Sequence, residues 1–258
     1  MVEINRTFEH IFNFRDVAWQ VPMLKKGCLY RSSYLSAATP QDLNQLQTHQ
    51  ISLVLDLRST VEQEQYPDPV NLTCQHVAVP IFENEGLRSN TEATIVRYYA
   101  ASSRAGYWQM IRTYKKMVTD PTCQAAIRTA LNSIANHDFS TGGILIHCSA
   151  GKDRTGLVIA AVLYLLGVEP TLILTDYLTS NQQSEARIAK RLKKARQVST
   201  EPNYWHSIYD LSVVHPAYLK RAVDLINYSF GGVEQFFTQT LQISPSMVTK
   251  LRKKVLVK

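Results

Sequence analysis

The chain has 258 residues, 45% of them hydrophobic and 19% charged, which is an ordinary composition for a soluble globular protein. Its four cysteines show no paired short spacing, which argues against both a zinc cluster and a disulfide framework. The formal net charge of +7 favours anionic partners, without distinguishing phosphoproteins, acidic lipids and nucleic acid.

No internal repeat, low-complexity tract or linker divides the sequence, and we predict a single α/β domain over residues 1–258. The first eight residues do not combine a basic start with an apolar core, so no signal peptide is predicted. We therefore expect a cytoplasmic protein in a reducing compartment. A bacterial secretion route without a cleaved signal stays open, because it would leave no trace in these residues.

The first 80 residues alternate short apolar runs with helix-start signals, after an irregular arm over residues 1–38. Strands are predicted near residues 28–31, 51–57 and 73–79, and helices at residues 39–49 and 59–66. Thr39 and Ser59 are the expected N-caps of these two helices. The second strand delivers Asp56 and Arg58 at its end.

Residues 83–118 carry weaker signals. A polar loop is predicted at residues 83–90, followed by helical patterns at 91–103 and 107–118. We expect most of their aromatic residues in the core, with cover of an active site as the alternative: Tyr98, Tyr99, Tyr107, Trp108 and Tyr114. Asp120 then caps a helix that runs to about residue 137.

The most informative stretch runs from Gly143 to Gly156 and reads GILIHCSAGKDRTG. It begins with an apolar run of strand length, passes through a polar loop and enters an apolar run of helix length, residues 157–168. That second run is shorter than the about 20 residues needed to span a bilayer. The predicted order is strand, tight loop and buried helix.

A tight loop of this kind binds anions. The first N–H groups of a helix have no partner within the helix, and the aligned peptide dipoles add about half a positive charge there. Gly151 lets the backbone curl close to an anion, and Arg154 offers a planar pair of donors to phosphate oxygens. The same field favours the thiolate of Cys148, to which the Thr155 hydroxyl can donate.

Two simpler interpretations compete with this one. A lone cysteine after an apolar strand is most often a small core residue. A nucleotide-type phosphate loop needs a Ser or Thr after Lys152 and a glycine five residues before Gly151, and the sequence has neither. The combination of His147 and Cys148 with a following Arg-Thr-Gly is what favours a phosphate-handling cysteine.

The run HCSAGKDRT, from His147 to Thr155, resembles the signature of the cysteine-based protein tyrosine phosphatase superfamily. Its Ala-Gly-Lys-Asp-Arg form resembles the bacterial tyrosine/lipid phosphatase subfamily, and it is close to the loop of tensin-type phosphoinositide phosphatases. Supporting stretches cover most of the chain: NFRDV at 13–17, LYRSS at 29–33, VLDLRS at 54–59 and DYLTSN at 176–181. The family usually continues its Phe-Arg-Asp motif with two glycines, whereas Ala18 and Trp19 stand here.

The resemblance implies one tyrosine-phosphatase-like catalytic domain over residues 1–258, an α/β fold with a central, mostly parallel sheet flanked by helices. The C-terminal third is predicted to be helical, with helices at residues 170–179 and 184–198 and further helices from residues 215, 233 and 245. In the last of these Val248, Leu251 and Val255 share an apolar face.

The resemblance also implies a phosphomonoesterase that needs no metal or cofactor. Cys148 would attack phosphorus to form a phosphocysteine intermediate, and the phosphate loop would hold the phosphate oxygens. The expected phosphate-binding residues are Ser149, Ala150, Gly151, Lys152, Arg154 and Thr155. Asp153 is the expected general acid, with a structural role as its alternative, and Asp56 is the second candidate. Arg58 and His147 are expected to support the site.

The expected substrate is phosphotyrosine, with phosphoserine, phosphothreonine and phosphoinositides as further candidates. Lys152 would present a positive charge to an inositol head group, unless it is a solvated loop lysine. The basic run from Arg187 to Arg196 is either a solvated helix face or a contact with an anionic membrane or acidic peptide. Nucleic acid is disfavoured, because no nucleic-acid-binding fold accompanies this run.

Three alternatives to a tyrosine phosphatase stay open. One is a phosphatase that prefers phosphoinositides, and another is a pseudophosphatase that binds phosphate without turnover. The third is a rhodanese-like or arsenate-reductase-like enzyme, which also uses a cysteine in an anion loop. The intact Cys148 and Arg154 argue against the second, and the Arg-Thr-Gly ending argues against the third.

Overall fold

The computed structural model of the protein describes residues 8–69, 74–82 and 91–257. The strands are β1 (Arg15–Asp16), β2 (Leu29–Ser32), β3 (Ile51–Asp56), β4 (Gln75–Ala78) and β5 (Gly143–His147). Within these described residues they form one sheet in the order β1-β2-β5-β3-β4. β1 is antiparallel to β2, and the remaining neighbours are parallel. The carboxyl ends of β2, β3 and β5 therefore meet at one edge.

Helices flank the sheet and make up the region that follows it in sequence. In the described part of the chain they are α1 (Pro40–Gln47), α2 (Thr60–Gln65), α3 (Glu92–Ala100), α4 (Ala105–Thr119), α5 (Pro121–Asn136), α6 (Arg154–Leu166), α7 (Pro170–Gln183), α8 (Glu185–Val198), α9 (Pro202–Ser212), α10 (Pro216–Phe230), α11 (Val233–Gln235) and α12 (Pro245–Val255). A 3₁₀ turn follows β1 at Val17–Trp19, and a π-helical segment follows α11 at Phe236–Thr240. This architecture confirms the predicted α/β fold and its helical C-terminal third.

Side-chain caps begin several helices where the sequence indicates. Thr39 forms a capping box with Asp42 at the start of α1. Ser59 forms another with Glu62 at the start of α2. The Asp120 side chain accepts two backbone N–H groups at the start of α5. Because these starts depend on residues three or fewer positions apart, local sequence is enough to predict them.

The core lies on both faces of the sheet. β5 is central and all its residues are buried, as its apolar sequence predicts. Ile144 and Ile146 belong to the larger core, which α6 shares, whereas Leu145 packs with Phe14 and Tyr30 in a smaller core. The alternation follows from the two-residue period of side chains along a strand. The phosphate loop thus begins from a strand that is packed on both sides.

Three elements have no counterpart among the predictions. The N-terminal arm contains β1 and the 3₁₀ turn, where an irregular segment is predicted. α9 was not predicted as a separate helix, and its buried face combines Tyr204 and Ile208 with Ser207 and Ser212. α7 also continues to Gln183, beyond the predicted end at residue 179. The predicted loop at 83–90 and the start of the predicted strand at 73–79 lie outside the described residues.

The aromatic residues of α3 and α4 differ in burial. Tyr114 is fully buried, whereas Tyr98 is 48% and Trp108 49% exposed. Tyr99 and Tyr107 are half-buried. A core position is therefore confirmed for Tyr114 and wrong for Tyr98 and Trp108. Among the helices that the structure describes, none combines the length and the apolar character needed to cross a membrane.

Candidate active site

The phosphate loop, residues 148–155, leaves the sheet at its middle. Cys148 directly follows β5, and Arg154 is the first residue of α6. β5 lies between β2 and β3, so the loop emerges where the carboxyl ends of three parallel strands meet. Clefts at this edge are the usual place for ligands in open α/β sheets. The strand–loop–helix order predicted from sequence is confirmed.

Gly151 makes the sharp turn of the loop possible. Its φ is +65°, in the left-handed region that favours glycine. A Cβ atom at this position would lie 2.0 Å from the carbonyl oxygen of Ser32, at the end of β2. Any side chain would therefore push the loop away from the sheet.

Two polar side chains hold the underside of this turn. Asn13 Nδ2 and Arg31 Nη2 each donate to the carbonyl oxygen of Gly151, at 2.7 Å. In a trans peptide the C=O and the following N–H point in opposite directions. Fixing this carbonyl toward the scaffold therefore aims the N–H of Lys152 away from it, toward the concave side of the loop where an anion binds.

A buried ion triad lies beneath these contacts. Asp176 of α7 accepts from Arg15 Nε at 3.0 Å and from Arg31 Nη1 at 2.5 Å. All three side chains are at most 1% exposed. Burial raises the pKa of Asp176, but the two arginines outweigh it and the net shift is downward. Two guanidinium groups and one carboxylate leave an excess positive charge below the phosphate loop.

This triad accounts for three of the supporting motifs. Arg15, Arg31 and Asp176 come from the stretches NFRDV, LYRSS and DYLTSN, to which sequence reasoning assigned no role. Their common task is to fix the loop from below. The three charged residues were therefore visible in the sequence, but their pairing depends on the tertiary fold.

Cys148 is 2% exposed and has a pKa below its ordinary value. Burial alone would raise the pKa of this thiol. The positive charge of Arg154 and the neighbouring Thr155 at the start of α6 lower the pKa of the thiol and outweigh that effect, while the charge of Asp153 opposes them. The residues that sequence analysis placed around the cysteine are thus brought together.

Glu62 is the main site residue that sequence reasoning missed. Its carboxylate accepts from Arg154 Nη1 at 2.5 Å and from Nη2 at 2.9 Å, and it also contacts the Ser149 hydroxyl. Burial raises its pKa, but its bonds to Arg154 hold the pKa at about 2. Because Glu62 also belongs to the capping box of α2, its sequence context indicates only a helix start.

Asp153 is held from two sides. Its Oδ2 lies 2.6 Å from Lys152 Nζ, and its Oδ1 accepts from the Tyr114 hydroxyl at 3.1 Å. Tyr114 also shares a hydrogen bond of 2.8 Å with Tyr177. The Asp153 side chain keeps 20% of its surface exposed, so it is oriented by its partners and still reaches solvent.

Lys152 is turned inward. Its side chain is only 4% exposed, and Nζ donates to the carbonyl oxygen of Val213 at 3.2 Å as well as pairing with Asp153. Burial lowers the pKa of this ammonium, Asp153 raises it, and the charges of Arg191 and Arg187 lower it further. In the arrangement described, Lys152 positions Asp153 and is neither solvated nor presented at the rim of the pocket.

Asp56, Arg58 and His147 form a separate buried network. Arg58 Nε donates to both carboxylate oxygens of Asp56, at 2.9 and 3.0 Å, and Arg58 Nη2 lies 3.0 Å from Asp68. His147 Nε2 lies 3.0 Å from the same Asp68 carboxylate. Asp56 is 0% exposed, so its carboxylate is committed to this network behind Cys148.

Chemically, this network includes donors that suit a metal ion. Ligand atoms of Asp56, Asp68, His76 and His147 lie within 4.8 Å of one another. The Arg58 guanidinium already contacts both carboxylates and supplies the positive charge that balances them. A divalent cation would have to displace it, so these residues fit an ion-pair network better than a metal site.

The site combines a cysteine with a lowered pKa, a tight loop that turns at a glycine, and an arginine at the start of a helix. These features define a phosphate-monoester site of the cysteine-dependent phosphatase class. The chain belongs to the tyrosine phosphatase family, whose sequence model matches residues 6–257. It is accordingly an enzyme of the protein-tyrosine phosphatase class.

Two curated relatives agree with this assignment. A Cupriavidus necator protein that carries the name of a tyrosine-protein phosphatase is 25% identical over 248 residues, covering 92% of this chain and 84% of its own length. The triple specificity protein phosphatase PtpB of Mycobacterium tuberculosis is 28% identical over 216 residues, covering 74% of this chain and 75% of its own.

Proposed function

We propose that the protein hydrolyses phosphotyrosine through a phosphocysteine intermediate, in one catalytic domain that needs no metal or cofactor. The observation that carries this proposal is the position of Cys148, which directly follows β5 at the base of a loop that ends in Arg154 at the start of α6; the charge of Arg154 also lowers the pKa of the thiol. The thiolate is the nucleophilic form of cysteine and a lowered pKa favours it, while the donors around it match an incoming phosphate dianion.

In the first step the Cys148 thiolate attacks phosphorus, and the bond from phosphorus to the leaving oxygen breaks. Asp153 gives its proton to that oxygen. In the second step water attacks the phosphocysteine, Asp153 takes a proton from the water, and the sulfur–phosphorus bond breaks. Inorganic phosphate leaves and the thiolate is restored, so protons and electron pairs balance over the cycle.

We assign the general acid to Asp153. It lies in the phosphate loop, keeps part of its surface exposed and is oriented by Lys152 and Tyr114. Asp56 is less suitable, because its carboxylate is fully buried and bonded to Arg58. Asp56, Arg58 and His147 support the site from behind the cysteine in this scheme.

We further propose activity on phosphoserine, phosphothreonine and phosphoinositides. Arg191 of α8 donates to the carbonyl oxygen of Leu211 at 3.3 Å, and Lys152 donates to that of Val213. Both cations therefore meet at the end of α9, next to the phosphate loop. Arg187 and Arg191 act electrostatically on Lys152 and add positive charge beyond the groups that hold the cleaved phosphate. A substrate with a second anionic group, such as a doubly phosphorylated phosphoinositide, can place that group near these positive charges.

The test is a turnover panel of phosphotyrosine peptide, phosphoserine peptide and a doubly phosphorylated phosphoinositide, with Cys148→Ser as the inactive control. We expect wild-type activity on all three and a loss of at least about a hundredfold in the control. Residual turnover near the wild-type level in Cys148→Ser would contradict the phosphocysteine mechanism.

The contribution of α8 is tested with a matched pair on that helix. Arg191→Gln is expected to lower phosphoinositide turnover by about fivefold, with less effect on phosphotyrosine. A fivefold change corresponds to roughly 1 kcal/mol of attraction between the guanidinium and the second phosphate group. Lys193 is exposed about half a turn away, and Lys193→Gln should leave both rates unchanged. Equal losses on both substrates, or no lipid activity in the wild type, would leave a protein phosphatase only.

A further inference from the structure

An apolar cavity of about 650 Å³ lies between α6, α7, α10 and the π-helical segment. Protein interiors are close-packed, with few voids larger than a water molecule, so a space of this size is of ligand scale. Its lining includes Leu157 and Ala161 of α6, Ile173 of α7, Val223 of α10 and Phe236. These side chains offer hydrocarbon surface and few polar atoms.

The cavity is separate from the phosphate site. Among the described residues that line it, none belongs to the phosphate loop, to its supporting triad or to the Asp56 network. It shares helices with the active site, because α6 begins at Arg154, α7 carries Asp176 and α4 carries Tyr114, but it uses other residues of these helices. The chemistry proposed above therefore leaves this space without a role.

The cavity opens to solvent between α6 and α10. Tyr164 is 42% and Val223 37% exposed, although both belong to the lining. Lys220 stands at the same edge with 71% of its side chain exposed, in a pair with Asp224 one helical turn on. Such surface pairs contribute little to stability, so the Lys220 ammonium can exchange this partner for an external carboxylate.

The wall of the cavity includes an irregular helix. Phe236 and Phe237 reach the lining from the π-helical segment, a wide-turn geometry that is rare and often associated with functional sites. Gly231 and Gly232 precede it with φ values of +76° and +117°. This wall is therefore joined to α10 by a glycine pair and is not continuous with it.

We propose that this cavity binds a long-chain fatty acid, with the hydrocarbon chain inside and the carboxylate at Lys220. A space with an almost entirely apolar lining accepts a hydrocarbon chain and disfavours polar ligands. A cation at the entrance then matches the one polar group of a fatty acid. The proposal is independent of the phosphatase mechanism.

The experiment measures binding of the fluorescent 18-carbon fatty acid cis-parinaric acid to the purified full chain, below the concentration at which the probe aggregates. We expect saturable one-to-one binding, displaced by palmitate, in both the wild type and Cys148→Ser. Across saturated acids of increasing length, affinity should rise by up to about fourfold per methylene until the cavity is filled. Absence of saturable binding would overturn the proposal.

Cavity variants locate the site. Ala161→Phe fills the interior, and Val223→Trp blocks the entrance at a partly exposed position that tolerates a larger side chain. Each should weaken binding at least about tenfold by removing room for the chain. Ala125→Phe, the same change at an exposed position of α5, is the matched control. If Ala161→Phe fails to fold, Val223→Trp decides, and unchanged binding in Val223→Trp would refute this location.

The head group is tested separately. Lys220→Glu should weaken palmitate binding while leaving the matching long-chain alcohol unaffected, and Lys253→Glu on α12 is the control for charge alone. The last measurement is binding of the protein to phospholipid vesicles that contain no fatty acid. Binding to the vesicles alone, with no binding of monomeric fatty acid, would show attraction to a membrane surface and overturn the proposal.

Discussion

Glu62 and a substrate phosphate need the same donors. Both guanidinium Nη atoms of Arg154 are engaged by the Glu62 carboxylate, which also contacts the hydroxyl of Ser149. A phosphate dianion carries more charge and more acceptor oxygens than a carboxylate, so it is able to displace Glu62 from Arg154. The carboxylate then acts as an internal competitor that substrate has to replace.

Replacing Glu62 with Gln tests this competition. The amide keeps the shape of the capping box but removes the charge that competes for Arg154, so inorganic phosphate should inhibit the variant about tenfold more strongly. KM for a phosphotyrosine peptide should fall in the same variant. Glu64→Gln, at an exposed position of the same helix, is the control. A higher KM in Glu62→Gln would show instead that Glu62 holds Arg154 in position for substrate.

Asp153 has two possible roles that leaving-group chemistry separates. If it donates a proton, Asp153→Asn should slow an alkyl phosphate by about a hundredfold or more, since general-acid help is worth roughly 10²–10⁴ in rate. p-Nitrophenyl phosphate should be affected far less, because its leaving group hardly needs protonation. Tyr114→Phe, which removes the hydroxyl donor to Asp153 together with its hydrogen bond to Tyr177, should cause a smaller loss. Equal losses on both esters would indicate a structural Asp153.

At the scale of elements, α7 is held against β1 and β2 by the carboxylate of Asp176, together with the Ser180 hydroxyl. Asp176 is the shared partner of Arg15 and Arg31, and Arg31 in turn holds the Gly151 carbonyl. The position of the phosphate loop therefore depends on a helix that follows it in sequence and on two strands that precede it. Loss of the carboxylate would leave two buried guanidinium groups without their counter-charge.

We expect Asp176→Asn to lower the free energy of unfolding by about 3–5 kcal/mol, the usual cost of breaking a buried ion pair from one side. Urea denaturation at neutral pH measures this. Asp224→Asn makes the same change in the exposed pair with Lys220 and should cost about 0.5 kcal/mol or less. Similar costs for the two variants would mean that the buried triad is not a structural support of the loop.

For the whole molecule, stability should decline in acid. Folding holds the pKa of Glu62 at about 2, against its ordinary 4.5, and it also lowers the pKa values of Asp176 and Asp68. A carboxyl group with a lowered pKa in the folded state stabilises it above its unfolded pKa. That contribution disappears as the pH falls through the folded value.

Urea unfolding across pH should therefore show constant stability above about pH 5 and a steady fall below about pH 4.5. Glu62→Gln should show a shallower fall, because the amide does not titrate. If stability stayed constant down to pH 3, or if the wild type and Glu62→Gln fell in parallel, these carboxylates would not be the acid-sensitive groups.

The features that the sequence determined by itself depend on residues close together in the chain. The strand–loop–helix order around Cys148, the caps at Thr39 and Ser59, and the alternation of apolar runs depend on neighbouring residues, so periodicity and short motifs are enough to predict them. The positions of Cys148, Gly151 and Arg154 in one loop are predictable in the same way, because a strand end, a tight turn and a helix start lie within a few residues.

Only the tertiary structure decided the partners of that loop. Glu62 and Arg154 are 92 positions apart, and Arg31 and Asp176 are 145 apart, so no local pattern records that they pair. The inward turn of Lys152 likewise depends on where α9 ends. The local sequence does not say which charged residues pair with each other. Tertiary packing decides the pairs, because burying an unpaired charge is costly. The sequence was therefore enough to predict the phosphate loop. The fold decided which residues position it, such as Arg31 and Asp176, and that Glu62 pairs with Arg154.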